Sequence, residues 1–190
     1  MKTIKWTAGF AGSLLLWCGL GQAFEPAREA ISTRILLQDS RSSALYEVSD
    51  RRTFYDGQRF RLAVQSRRSG YLYILCETSR GETKLLHPSE LSMNNSIEAG
   101  ETATFPGRGW FRFDNDPGTE KVFVVMAGGP IAELDRAGED GGDITPEMLH
   151  RYSRLGAGDA SSDTRGIEVV KPAFSVVKKI VLRHDSADGF

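Results

Sequence analysis

Cysteine is nearly missing from this chain. Its 190 residues include two, Cys18 and Cys76, and Cys18 lies in an N-terminal segment with the pattern of an export signal. Removal of that segment leaves Cys76 alone, so no internal disulfide is possible. Histidine is scarce too. His87, His150 and His184 lie far apart, and no two have the spacing of a metal pair, so no metal site is expected. The sequence has no Gly-rich phosphate loop of the Walker type and no Gly-x-Ser-x-Gly elbow, which removes the motif-bearing nucleotide and serine hydrolases. It has no internal repeat and no heptad pattern, which removes solenoids and coiled coils. An excess of positive charge is also lacking. The formal net charge is −1 with 24 basic and 25 acidic side chains, and loss of Lys2 and Lys5 makes it more acidic. That balance does not suit a nucleic-acid partner.

A long hydrophobic run is the last absence. Residues 8–20 are apolar but too few for a stable membrane anchor. Lys2 and Lys5 precede them, and Gly21-Gln22-Ala23 follow with small residues where a signal peptidase reads. Cleavage after Ala23 is expected, with a periplasmic or secreted product and no membrane span. A retained anchor and lipidation at Cys18 are the alternatives. Lipidation requires a small residue before the cysteine, and Trp17 stands there.

What is present is β-pattern. In residues 58–66, Phe60, Leu62 and Val64 alternate with Arg59, Arg61 and Gln65, which gives a strand with one buried and one wet face. Ser66 to Gly70 is polar, ends in glycine and predicts a tight turn. Residues 71–76, YLYILC, are apolar on both faces, as in a central strand. Leu72, Ile74 and Cys76 share one face; Tyr71, Tyr73 and Leu75 share the other. Gly81 turns the chain into residues 83–87, and Asp56-Gly57 supplies a positive-φ position before the first of these strands.

Elsewhere the pattern is less uniform. Residues 24–43 form a lead-in without a clear form; Pro26 can start a helix, and Ile31, Ile35 and Leu36 fall at loosely helical spacing. Residues 44–48, 101–105 and 110–113 are strand candidates. Residues 121–127, KVFVVMA, read as a second central strand. A short helix is expected within residues 130–136. A better one begins at Thr145, with Pro146 at its first position, Glu147 near its positive end and Gly156 as its stop. Met148, Tyr152 and Leu155 are its expected buried stripe. Residues 167–171 and 175–182 are the final strand candidates, and Lys178 suits an edge. The fold expected is mainly β, an antiparallel β-sandwich or barrel-like domain over residues 44–190, with one or two short helices inserted late.

Further residues carry a resemblance. An aromatic, Asp56-Gly57, alternating apolar residues, Ser69-Gly70-Tyr71-Leu72-Tyr73-Ile74, Gly81 and Leu85-Leu86-His87-Pro88 follow in order. Asn95 to Glu101, Phe105-Pro106 and Gly118-Thr119-Glu120 before the strand at residues 122–126 continue it. This pattern, over residues 44–130, resembles the bacterial family known as domain of unknown function 4384. Leu86 stands where that family usually has an aromatic, and Arg67-Arg68 where it has a polar loop. The resemblance implies a compact, mostly β domain of envelope or secreted proteins, often appended to an enzymatic domain such as a kinase or a caspase-like peptidase. It implies no catalytic residues.

Two functions follow. The first is an exported, non-enzymatic accessory domain that binds a protein or cell-envelope component and needs no cofactor. Its candidate contacts are Arg59 and Arg61 with Arg67 and Arg68, which suit an acidic partner or an anionic glycan, and the aromatics Tyr71, Tyr73, Trp110 and Phe111. The second is a small cysteine-dependent hydrolase using Cys76 with His87 or His150 as base. Against it, Cys76 sits on an aliphatic face, where a thiol packs as a small hydrophobe. Glu139, Asp140 and Asp143 offer oxygen ligands for calcium but lack EF-hand spacing and read as a solvated acidic loop.

Overall fold

The computed structural model describes residues 30–155 and 174–186. The export segment, the Pro26 helix start, Gly156 and the strand expected at residues 167–171 lie outside them. Thirteen elements follow in chain order, eleven strands and two helices. The first sheet runs β2 (Leu45–Val48), β1 (Ile31–Gln38), β4 (Arg59–Ser66), β8 (Thr102–Phe105), and β9 (Phe111–Arg112) joins β4 beside β8. The second runs β3 (Thr53–Tyr55), β11 (Ser175–Asp185), β10 (Gly118–Ala127), β5 (Gly70–Glu77), β6 (Thr83–His87), with β7 (Ser96–Ile97) also on β5. Pairing is antiparallel except between β3 and β11. The sheets stay open, so the fold is the sandwich and not the barrel.

Alternation decides which side chains meet between the sheets. Phe60, Leu62 and Val64 of β4 face Leu72, Ile74 and Cys76 of β5 and Val122, Val124 and Met126 of β10 in one core. The other face of β5 and β10 is apolar as well, and the helices cover it. Tyr73, Leu75, Phe123 and Val125 pack there against Leu134 of α1 (Ala132–Glu139) and Leu149 and Tyr152 of α2 (Pro146–Tyr152). No helix among the described residues is long and apolar enough to cross a membrane.

Local chemistry accounts for both helices. Thr145 caps α2, its Oγ1 accepting from the Met148 amide at 3.2 Å, and Ile144 and Leu149 bury together as a staple. The buried stripe of α2 is Leu149 and Tyr152, with Met148 and Leu155 packed at its rim. Helix α1 has no side-chain cap. Its first amide, Ile131 N–H, donates instead to the Tyr73 hydroxyl at 2.7 Å, so the sheet itself starts the helix. Gly138 lets α1 approach β6, since a Cβ there would stand 3.0 Å from the Pro88 carbonyl oxygen.

Two features differ from expectation. Residues 66–70 do not close a hairpin, because β4 and β5 belong to different sheets. The segment carries the chain across the sandwich, and β4 pairs with β1, β8 and β9 instead. Ile31–Gln38, within the lead-in, is a strand and not a helix. Ile31, Ile35 and Leu37 enter the core at period two, and β4 fixes them there through seven rungs. Among the described residues Lys178 keeps its edge character, since β3 meets β11 only at Arg183–Asp185.

Leu134 is fully buried and Leu91 is 86% exposed. Leu134→Ala is expected to cost about 2–5 kcal/mol. Leu91→Ala should stay within about 0.5 kcal/mol of the parent. Urea unfolding of both variants checks the helical layer's contribution.

Candidate binding face

The outer face of the first sheet is built from the residues that alternate with the core. On β4 these are Arg59, Arg61, Ala63 and Gln65; on β1 they include Arg34 and Leu36. Register brings β9 alongside, so that Arg59 stands directly opposite Arg112 while Phe60 faces Phe111 on the core side. Arg61 lies beyond them with its guanidinium carbon 4.4 Å from the Trp110 ring centroid, and its Nε donates to the Gly109 carbonyl at 3.1 Å. Arg34 approaches Glu47 of β2 at 3.9 Å. Among the described residues, no carboxylate forms an ion pair with Arg59, Arg61 or Arg112.

This face borders a groove and an open edge. The groove, about 530 Å³, is lined by Gln38, Tyr46, Asp56, Gly57, Gln58 and Arg59, among others. Gly57 bends the chain into it at φ +77°. Tyr46 belongs to β2, which pairs with β1 alone among the described strands. Leu45 and Tyr46 of that edge are 44% and 43% exposed. An apolar strand edge of this kind offers backbone donors and acceptors to another extended chain.

The other candidates are placed elsewhere. Tyr73 is buried, its hydroxyl held by Asp135 Oδ1 at 3.0 Å and by the Ile131 amide, and burial raises its pKa. Asn95 joins the same carboxylate at 3.0 Å. Tyr71 packs at the rim of the helical core. Tyr73 therefore positions α1, and Tyr71 is half-buried beside it. Phe111 lies on the core side, and the Arg68 guanidinium covers Phe174. The Asp143 carboxylate pairs with Lys84 at 2.9 Å, while Glu139 and Asp140 are exposed. Thus the structure gathers Arg59, Arg61 and Trp110 with Arg112 and separates them from Tyr71 and Tyr73.

Cys76 faces the core, and burial pushes its thiol up to about 12, with Glu120 and Glu77 adding to the effect. A nucleophilic thiol needs the opposite surroundings. His150 is exposed on α2, and His87 is buried against Phe105 with ring centroids 4.4 Å apart. The three histidines do not assemble. His184 instead meets two carboxylates, Asp114 and Glu120, a grouping that local spacing does not announce.

His87 makes stability pH-dependent. Burial lowers its pKa from 6.5 to about 4, so between those values the unfolded chain binds more protons than the folded one. Its contribution is complete above the unfolded value and is lost as pH falls through the folded one, about 3 kcal/mol in all. His87→Leu is expected to remove most of that acid-dependent loss, which urea midpoints at pH 7 and pH 4 measure.

Comparison with curated proteins and with solved structures gives no match. Residues 53–130, from β3 to the end of β10 and the three residues beyond it, match the family described as Domain of unknown function (DUF4384), and so the strands that form the arginine face and the centre of the sandwich carry that family's pattern.

Proposed function

We propose that the protein is an exported, non-enzymatic accessory domain, periplasmic or secreted, that binds an acidic protein of the cell envelope through the outer face of its first sheet. The observation that carries this is the opposition of Arg59 and Arg112 beside Arg61 and Trp110. Like charges directly across a strand pair destabilise a sheet by roughly 0.2–1 kcal/mol. A face that keeps such a pair without a carboxylate partner among the described residues gains when an acidic surface covers it. Arginine also suits this role because its planar head binds carboxylates through two parallel hydrogen bonds and stacks on aromatics. The exposed β2 edge and the groove beside Arg59 extend the same surface. Export is supported by the pattern of residues 1–23.

The test compares the protein with Arg59→Glu and Arg112→Glu as baits for envelope extracts. The expected result is an acidic component retained at low salt and released near 1 M, where screening acts within about 3 Å. Each variant loses it, while the free variants are as stable as the parent or slightly more so. Capture that ignores both salt and charge reversal, or no captured component, overturns the proposal.

A further inference from the structure

A separate cluster forms where the chain leaves β9 of the first sheet and enters β10 of the second. Glu120 on β10 and His184 on β11 lie on the inner face of the second sheet, because Gly118 pairs with His184 and Glu120 with Leu182. Asp114, in the loop between the two sheets, meets them there. One ligand atom from each of the three lies within 4.8 Å of the others, and His184 Nδ1 stands 3.8 Å from Glu120 Oε1.

The state of His184 is legible from its partners. Its Nε2 lies 2.6 Å from the Asp116 carbonyl oxygen, which only accepts, so Nε2 carries a proton and donates. The same carbonyl accepts from Ser79 Oγ at 2.9 Å. The His184 side chain is fully buried, and its ring stands edge-on to Phe113 with centroids 5.1 Å apart. Nδ1 is then left with no hydrogen-bond partner, 3.8 Å from Glu120 Oε1. A buried polar atom without a partner is uncommon and calls for an explanation, a held ion or water among them. A metal-binding histidine has this arrangement, with one nitrogen donating to a carbonyl and the other presenting its lone pair.

We propose that Asp114, Glu120 and His184 form a binding site for a divalent transition-metal ion. One imidazole with carboxylates suits zinc and its neighbours better than calcium or magnesium, which favour oxygen alone. Ligands around a tetrahedral ion with bonds of about 2.0–2.1 Å lie about 3.3–3.4 Å apart, so ion binding would require the exposed Asp114 side chain to move inward. Asp114 gives one oxygen to the Asp116 amide at 3.0 Å and keeps the other. An ion here would bind the loop from one sheet to two strands of the other, so its effect would be to clamp the sandwich.

Isothermal titration with zinc chloride tests the site on protein purified from cells that express the full chain. The expected result is one ion per chain, with an affinity at least about tenfold weaker in Asp114→Asn and in Glu120→Gln. Both variants preserve shape, and their melting temperatures in EDTA should match the parent's, while zinc should raise that of the parent alone. His184→Gln is a third variant, read only if it folds. Absence of saturable one-to-one binding, or a variant that binds as tightly as the parent, overturns the proposal and assigns any zinc taken up to surface groups such as His150.

Discussion

β5 and β10 pair through seven rungs, and both strands are apolar on both faces. That single constraint orders the rest of the molecule. A strand with no wet face has to be covered twice, because each exposed apolar side chain forfeits roughly 1.5–3 kcal/mol of burial. The first sheet supplies one cover and the two helices supply the other. The helices sit between β10 and β11 in sequence, so the chain completes the second layer before adding the strand that extends the sheet past β10.

The two outer surfaces are therefore unlike. On the second sheet the Tyr73 hydroxyl, Asp135 and Asn95 tie α1 to the strands. The first sheet has one packed face. Its other face carries Arg59, Arg61 and Arg112, charges that the core cannot accept, and of these Arg61 is held by the Trp110 ring and the Gly109 carbonyl. At the end of the sandwich, Phe113 stacks on Phe54 and Phe60 at 4.8 and 4.9 Å and presses on His184, so aromatic packing sets the orientation of the imidazole.

Much of this was legible locally. YLYILC and KVFVVMA announce central strands because both of their faces are apolar, and Thr145-Pro146-Glu147 announces a helix start through the chemistry of its first turn. The alternation of Arg59 and Arg61 with Phe60 and Leu62, and of Trp110 and Arg112 with Phe111 and Phe113, placed each pair on one face. What brought the two pairs together was register, and register depends on partners distant in sequence. The turn at Ser66 to Gly70 shows the same limit. A polar stretch ending in glycine serves equally for a hairpin or a crossing between sheets, and only the preference of β4 for β1 and β8 decides. β1 was hidden because Ile31, Ile35 and Leu36 mimic a helical face, whereas the core selects Ile31, Ile35 and Leu37. The grouping of Asp114, Glu120 and His184 depends on the pairing of β10 with β11 and left no local mark.

Amide hydrogen exchange followed residue by residue tests the central claim most directly. If β5 and β10 are the spine, the amides of Leu72 to Cys76 and Val122 to Met126 that pair across them exchange only on global unfolding and share one free energy of opening. Those of β2, at an open edge, exchange by local fraying at a far lower cost. Protection in β5 and β10 no greater than in β2, or opening of either strand while the other stays closed, would contradict the account.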